Sequence, residues 1–308
     1  MTVNPKISPP SNRRWIVTSI PYLWMLVFFL VPFFIVLKIS FSSSEIAQPP
    51  YAPAFDFMTD TWNDTLEKLL TLTSDNYSRL FQDSIYFSSY LSSLWIAGSS
   101  TVMMLFIAYP IAYAMARAPK SWRPTLVMMV VLPFWTSFLI RIYAWIAILS
   151  EEGLLNTLLT SLGIIDEPIQ ILSTNTAVYI GILYSYLPFM VLPLYSTLEK
   201  MDESLIESAK DLGCTSIGAF WRITAPLSIP GVIAGCFLVF IPAVGEFVIP
   251  DLLGGSETIM IGKTMWEEFF NNRDWPAASG VAIALLLLLM IPIMIFQSNE
   301  ARQQEAGQ

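Results

Sequence analysis

The charged residues able to do chemistry in this chain of 308 residues fall into two settings, one polar and one apolar. Residues 202–227, DESLIESAKDLGCTSIGAFWRITAPL, form a charged island between long apolar stretches. Within it Leu205, Ala209 and Leu212 recur at i, i+4 and i+7, while Glu203, Glu207, Lys210 and Asp211 take the opposite stripe of a helix. Glu203 with Glu207, and Glu207 with Asp211, are like-charge i,i+4 pairs costing a few tenths of a kcal/mol each, which Lys210 offsets only in part. A basic partner surface would relieve that repulsion, so the chemistry implied is docking. Amphipathicity alone would fit a solvated hairpin better. Gly213 suits the position that stops the first helix, and Ser216 to Ile223 can form a second short helix before Pro226.

Arg141 and Glu246 are the ionisable residues embedded in apolar segments. Burying either charge costs at least ~2.5 kcal/mol, which favours an ion pair, a wet cavity or a place near the interface. At 1.5 Å per residue both lie about 24 to 26 Å along their segments, so they could share a level. A structural Arg141–Glu246 pair and a pathway role are evenly matched. In the pathway reading Glu246, on the segment broken by Pro242 and Pro250, helps a cationic amine across, with Trp135, Tyr143, Tyr184 and Tyr186 as cation-attracting walls. Aromatic stripes in spans are more often packing or interfacial belts.

Other chemistries are excluded by inventory. There is no histidine, and the two cysteines are Cys214 and Cys236, so His-based zinc sites and Ser-His-Asp or Cys-His nucleophiles cannot be built. Gly262-Lys263-Thr264 resembles the end of a phosphate-binding loop, but Glu257 stands where that motif needs glycine. No cofactor and no metal site are expected.

The elements that must position these residues are membrane spans. With 55% hydrophobic and 13% charged residues and mean hydropathy +0.59, the chain has too little polar surface to cover a soluble globule. Six apolar stretches are long enough to cross a bilayer: 20–39, 90–116, 125–149, 174–198, 229–250 and 277–296. Lys6, Arg13 and Arg14, then Arg117, Lys120 and Arg123, then Lys200, Lys210 and Arg222, and finally Arg302 all fall on one side, which is therefore cytoplasmic with both termini. The opposite side is acidic. Its first loop mixes carboxylates with Tyr51, Phe55, Phe57, Trp62, Tyr77 and Phe81, which suits short interfacial helices. Prolines inside the stretches, among them Pro110, Pro133, Pro188 and Pro242, suit helices that kink.

The spacing Glu207-Ser-Ala209, Gly213, nine residues, Ile223, then Pro226 resembles the EAA loop of ABC importer permeases, E-A-A-x3-G-x9-I-x-L-P, with departures at Ser208 and Ala225. The likeness extends to LPFWTSFLIRIYAWIAIL from Leu132, YSYLPFMVLPLYSTLEKMD from Tyr184, FIPAVGEFVIPDLLGG from Phe240 and WEEFFNNRDWPAASG from Trp266. These segments are similar to the polyamine (putrescine/spermidine) ABC importer permeases, above all the larger inner-membrane permease subunits of bacterial putrescine importers. The resemblance covers nearly all of the chain after its N-terminus.

It implies an all-α membrane protein with the type I ABC importer permease fold and cytoplasmic coupling helices. ATP hydrolysis would reside in separate ABC ATPase subunits, docked by Glu203, Glu207, Ala209, Lys210, Asp211, Gly213, Ile223 and Pro226. A second permease subunit would complete the pathway, a periplasmic polyamine-binding protein would deliver substrate, and no nucleic acid partner is expected. The organisation expected is a cytoplasmic segment 1–19, a first span 20–39, a periplasmic loop 40–89, a transmembrane domain 90–297 and a cytoplasmic tail 298–308, in the bacterial inner membrane. The expected function is import of polyamines, putrescine foremost, by alternating access. An importer for another solute shares the EAA pattern, since that pattern reports the ATPase interface. A self-contained secondary transporter or channel would share the hydropathy but not the EAA spacing, and a membrane-embedded enzyme is disfavoured by the missing histidine.

Overall fold

The computed structural model describes residues 12–56 and 60–306; Lys6 and Phe57 lie outside them, as do the side chains of Arg13, Arg14 and Arg302. In chain order, α1 (Asn12–Met25) continues through a π turn, Leu26–Leu30, into α2 (Val31–Ser40). A two-residue hairpin follows, β1 (Ser43–Ser44) antiparallel to β2 (Tyr51–Ala52), with Ser43 opposite Ala52. Two short helices complete the first loop, α3 (Trp62–Leu70) and α4 (Asp75–Gln82). Thr61 and Asp64 form a capping box at the start of α3, which meets its unpaired backbone donors.

Next come α5 (Ser84–Arg117), α6 (Arg123–Val131), a 3-10 turn (Leu132–Trp135), α7 (Phe138–Leu149) and α8 (Leu154–Ser161). They are followed by α9 (Asn175–Glu199), α10 (Ser204–Asp211), α11 (Ser216–Ala219), a π turn (Phe220–Thr224) and α12 (Ala225–Val244). The chain ends with α13 (Val248–Leu252), α14 (Ile261–Trp266) and α15 (Trp275–Ala306).

Among the described residues, five helices are long and apolar enough to span a bilayer: Thr18–Ser40, Ser84–Arg117, Asn175–Glu199, Ser216–Val244 and Trp275–Met294. The third expected span is different. Residues 125–149 do not form one straight helix; the chain bends by 87° between Arg123–Trp135 and Phe138–Ser161. Pro133 lacks a backbone donor and lies in the 3-10 turn, and Thr136 and Ser137 then adopt extended ψ values of 152° and 137°, so the ladder cannot continue. The fifth span also departs from expectation at both ends. The island's second helix does not stop before Pro226 but runs through the π turn into α12, because a proline in a helix's first turn sacrifices only an orphan N–H. At the far end α12 stops at Val244, short of Pro250, and the chain restarts as α13.

Two compact units result, Asp83–Glu267 and the remainder. In the first, α9 packs along both α5 and α12. A Cβ on Gly231 would stand 2.6 Å from Thr197 Oγ1, and one on Gly235 would stand 2.7 Å from Met190 Sδ, so small residues let α12 lie close on α9 where lipid supplies no hydrophobic drive. Hydroxyl pairs tie the same helices, Ser99 with Tyr179 at 2.9 Å and Tyr109 with Ser228 at 2.9 Å. In the second unit α15 packs on α2 and α4. There Asn76 donates to the carbonyls of Ser40 (2.9 Å) and Ser42 (2.7 Å), and the Lys38 ammonium lies over the Tyr51 and Phe55 rings at 4.4 and 4.8 Å. The loop thus holds the short helices its aromatic and acidic mixture suggested, plus a hairpin with no periodic signal.

Candidate functional site

Two arrangements in the Asp83–Glu267 unit can do chemistry. The first is the polar hairpin of α10 and α11. Cys214 N–H donates to Ala209 C=O (2.9 Å) and Gly213 N–H to Lys210 C=O (2.9 Å), a Schellman closure that needs a left-handed residue; Gly213 supplies it with φ +83°. Thr215 then caps α11, its hydroxyl accepting from Gly218 N–H at 3.1 Å. Phe220 anchors the hairpin edge-on against Tyr109 and Tyr113 of α5, at 5.6 and 5.9 Å. The amide of Ser204 donates to Asp202 at 3.0 Å and holds that carboxyl below its ordinary pKa.

Of the residues singled out in the hairpin, Glu207, Lys210, Asp211, Gly213 and Pro226 are exposed, while Ala209 and Ile223 are half-buried. Glu203 is exposed as well and pairs with Arg117 of α5 at 2.9 Å. Of the apolar stripe, Leu205 and Leu212 are 46% and 89% exposed while Ala209 is half-buried; beyond the glycine, Ile217 and Trp221 are 74% and 68% exposed. Large apolar side chains exposed at the end of a span mark a candidate interaction surface.

The second arrangement is a cavity of about 410 Å³ where α12 gives way to α13, lined by Phe134, Phe138, Arg141, Ser185, Tyr186, Phe189, Pro242, Gly245, Glu246, Phe247 and Val248. Glu246 is buried in the gap between the two helices. Its Oε1 accepts from the amides of Phe247 (3.1 Å), Val248 (3.0 Å) and Ile249 (3.4 Å), and its Oε2 accepts from the Tyr186 hydroxyl. Helix ends leave such amides unmet, and a carboxylate at α13's start meets them while gaining a stabilised negative charge. The position is fixed from behind by α14. A Cβ on Gly262 would stand 2.4 Å from Gly245 O and 2.5 Å from Glu246 O, so glycine is what lets α14 lie against this turn. Gly262-Lys263-Thr264 is therefore a packing element; Lys263 pairs with Asp251 at 3.6 Å and Thr264 is bonded to Ser89.

Arg141 is 9% exposed, its guanidinium over the rings of Phe134 (5.0 Å) and Phe138 (5.7 Å). It shares the cavity with Glu246, but the ion pairs among the described residues include neither of them. The rise per residue puts the two charges at one level on proline-bearing segments; the third segment is bent and the fifth breaks at Gly245, and the two charges line one cavity. Tyr186 joins them. Trp135 and Tyr143 are exposed at the protein's surface instead, and Tyr184 stacks edge-on to Trp145 and lines a separate apolar pocket with Leu126 and Pro188. Phe134, Phe138, Ser185 and Phe189 also line the cavity and were not singled out from sequence; Phe138 and Phe189 stand three residues from Arg141 and Tyr186, a spacing that shares a helix face without telling which way that face turns. No group of three Asp, Glu or Cys among the described residues is arranged to hold a metal.

Residues 78–301 match the family described as binding-protein-dependent transport system inner membrane component. The chain belongs to this family. It is a multi-pass inner-membrane permease subunit, not an enzyme. A spermidine/putrescine transport system permease protein PotB of Haemophilus influenzae is 40% identical over 281 residues, covering 91% of this chain and 92% of that protein. The PotB of Escherichia coli K12 is 44% identical over 227 residues, 74% of this chain and 82% of its own length. A bacterial ABC transporter importing the acidic polysaccharide alginate shares the fold, with TM-score 0.68, 18% identity and coverage of 95% and 96% of the two chains. The fold is thus all-α and that of type I ABC importer permeases, and family membership removes the self-contained secondary transporter and the membrane-embedded enzyme from consideration.

Proposed function

We propose that the chain is the permease subunit of an ATP-driven importer that moves polyamines, putrescine foremost, from periplasm to cytoplasm by alternating access. The observation that carries this reading is a buried carboxylate, Glu246, in a cavity walled by Phe134, Phe138, Tyr186 and Phe189. An alkylammonium needs a counter-ion, and its methylene chain and positive end both gain against aromatic faces. Identity with spermidine/putrescine permeases over most of the chain supports the same cargo class.

The hairpin supports an ATPase partner. Leu212, Ile217 and Trp221 offer the apolar patch, and Glu207, Lys210 and Asp211 offer a charged rim to a groove in a cytoplasmic ABC ATPase subunit. Because α11, the π turn and α12 form one continuous rod, a push at Ile217 travels up α12 toward Gly245. A second permease subunit and a periplasmic polyamine-binding protein complete the assembly; the fold's match to an alginate transporter in complex with a periplasmic protein suits the latter. We place residues 1–19, the 202–227 loop and the tail 298–308 in the cytoplasm and loop 40–89 in the periplasm.

Uptake of labelled putrescine, spermidine, amino acids and sugars by the assembled transporter, parent against Glu246→Gln, tests the reading. Polyamine uptake falling at least tenfold in the variant is the expected outcome. Unchanged uptake, or uptake of a different solute class by the parent, would sink it.

A further inference from the structure

The cavity at the α12–α13 break holds two opposite charges that do not pair. Glu246 is bonded at both carboxylate oxygens, Oε1 to the three amides that open α13 and Oε2 to the Tyr186 hydroxyl. Arg141 is the opposite case. Its Nε and Nη1 are fully buried and have no hydrogen-bond partner among the described residues, and Phe134 and Phe138 lie against the guanidinium. An ionised donor that is desolvated and unbonded is one of the more costly arrangements a protein can hold, and it persists only if another arrangement or another function depends on it.

Glu246 is the one carboxylate lining this cavity. Its two oxygens are not equivalent. Oε1 holds the residue to α13, whereas Oε2 has a single side-chain donor and spare lone pairs, so a cation that takes Oε2 leaves the α13 start intact. In a site that passes a cationic amine, Oε2 is also the atom an incoming ammonium would take. The two cations must therefore compete.

We infer that Arg141 is a tethered counter-cation: when the bundle changes state it swings from Phe134 and Phe138 onto Glu246 Oε2, replaces the transported ammonium there and drives it from the cavity. This rests on the placement of Glu246 in the pathway. Arg141 is a positioning residue for release; it does not attract the substrate. The sign of its effect is opposite to that of a binding residue, because a competitor lowers apparent affinity by the fraction of sites it occupies.

The test is putrescine transport by the complete transporter in proteoliposomes, with KM and maximal rate resolved separately for Arg141→Gln, Arg141→Lys, Glu246→Gln and the Arg141→Gln/Glu246→Gln pair. Loss of the competitor in Arg141→Gln should lower KM about three- to ten-fold and lower the maximal rate together with it. Arg141→Lys, which keeps a tethered cation, should restore both toward the parent. In the Glu246→Gln background, Arg141→Gln should leave KM unmoved. Should Arg141→Gln fail to assemble, Arg141→Met, which replaces an unbonded buried charge by an apolar chain of similar length, carries the same expectation. A raised or unchanged KM in Arg141→Gln or Arg141→Met overturns the inference while leaving Glu246 in the pathway. Parental transport in Glu246→Gln overturns both.

Discussion

At the scale of single residues, Glu246 owes its position to backbone more than to side chains. The three amides of residues 247–249 fix its carboxylate, and the carbonyl of the same residue is pinned by the close approach of Gly262. Gly262→Ala would push a methyl group into Gly245 O and Glu246 O at 2.4 and 2.5 Å, and backbone atoms cannot step aside as a flexible side chain can. Overpacking of this kind costs roughly 1–3 kcal/mol, so the variant should melt several degrees lower and lose uptake through a displaced Glu246. Gly98→Ala is the matched control, since a Cβ there meets nothing within 4 Å, and it should be silent in both assays. Equal loss in the two variants would show that glycine itself, not the contact, matters at position 262. Arg141 and Glu246 were legible in the sequence as charges in apolar stretches. Phe134, Phe138 and Phe189 were not, because an aromatic in a membrane helix carries no mark of which face it takes, and the break at Thr136 and Ser137 turned that face.

At the scale of elements, the hairpin was read well up to Gly213 and then misread. Composition identified α10, its stripe and its glycine stop, but it treated Pro226 as a barrier, although proline at the start of α12 gives up only an N–H that has no partner in any case. The continuity that follows makes α11 the end of one rod with α12, which is the lever of the proposed mechanism. Gly213 joins α10 to that rod and is the hinge in the coupling proposed above. Its φ of +83° with empty space around the absent Cβ makes its requirement conformational, not steric. Gly213→Val should therefore cost about 1–2 kcal/mol through backbone strain alone, whereas Gly213→Asn, a residue that tolerates the left-handed region, should cost much less. The readout is uptake per ATP hydrolysed in the assembled transporter: reduced in Val, near parental in Asn, with membrane insertion unchanged. Equal coupling in all three proteins would remove the hinge from the mechanism.

At the scale of the whole molecule, hydropathy located every apolar stretch because about 20 residues suffice to announce a span, while the bend of the third and the restart of the fifth arise from proline placement and capping, which hydropathy averages away. Sidedness rests on a separate argument, the gathering of Lys and Arg in alternate loops, and it can be checked without a partner protein. Ile46, at the hairpin of the first loop, is fully exposed, and Trp122, in the Arg117–Arg123 connection, is 62% exposed. With Cys214 and Cys236 replaced by serine, single cysteines at these two positions report the two faces. A membrane-impermeant maleimide added to intact spheroplasts should label Ile46→Cys and leave Trp122→Cys unmodified until the membrane is opened. The reason is energetic: moving Arg117, Lys120 and Arg123 across the bilayer against the membrane potential opposes insertion by about 2.3 kcal/mol per charge at 100 mV, whereas the carboxylates of the first loop meet no such barrier. Reversed labelling would put the hairpin on the periplasmic face and leave the exposed Leu212, Ile217 and Trp221 surface without the ATPase partner proposed for it.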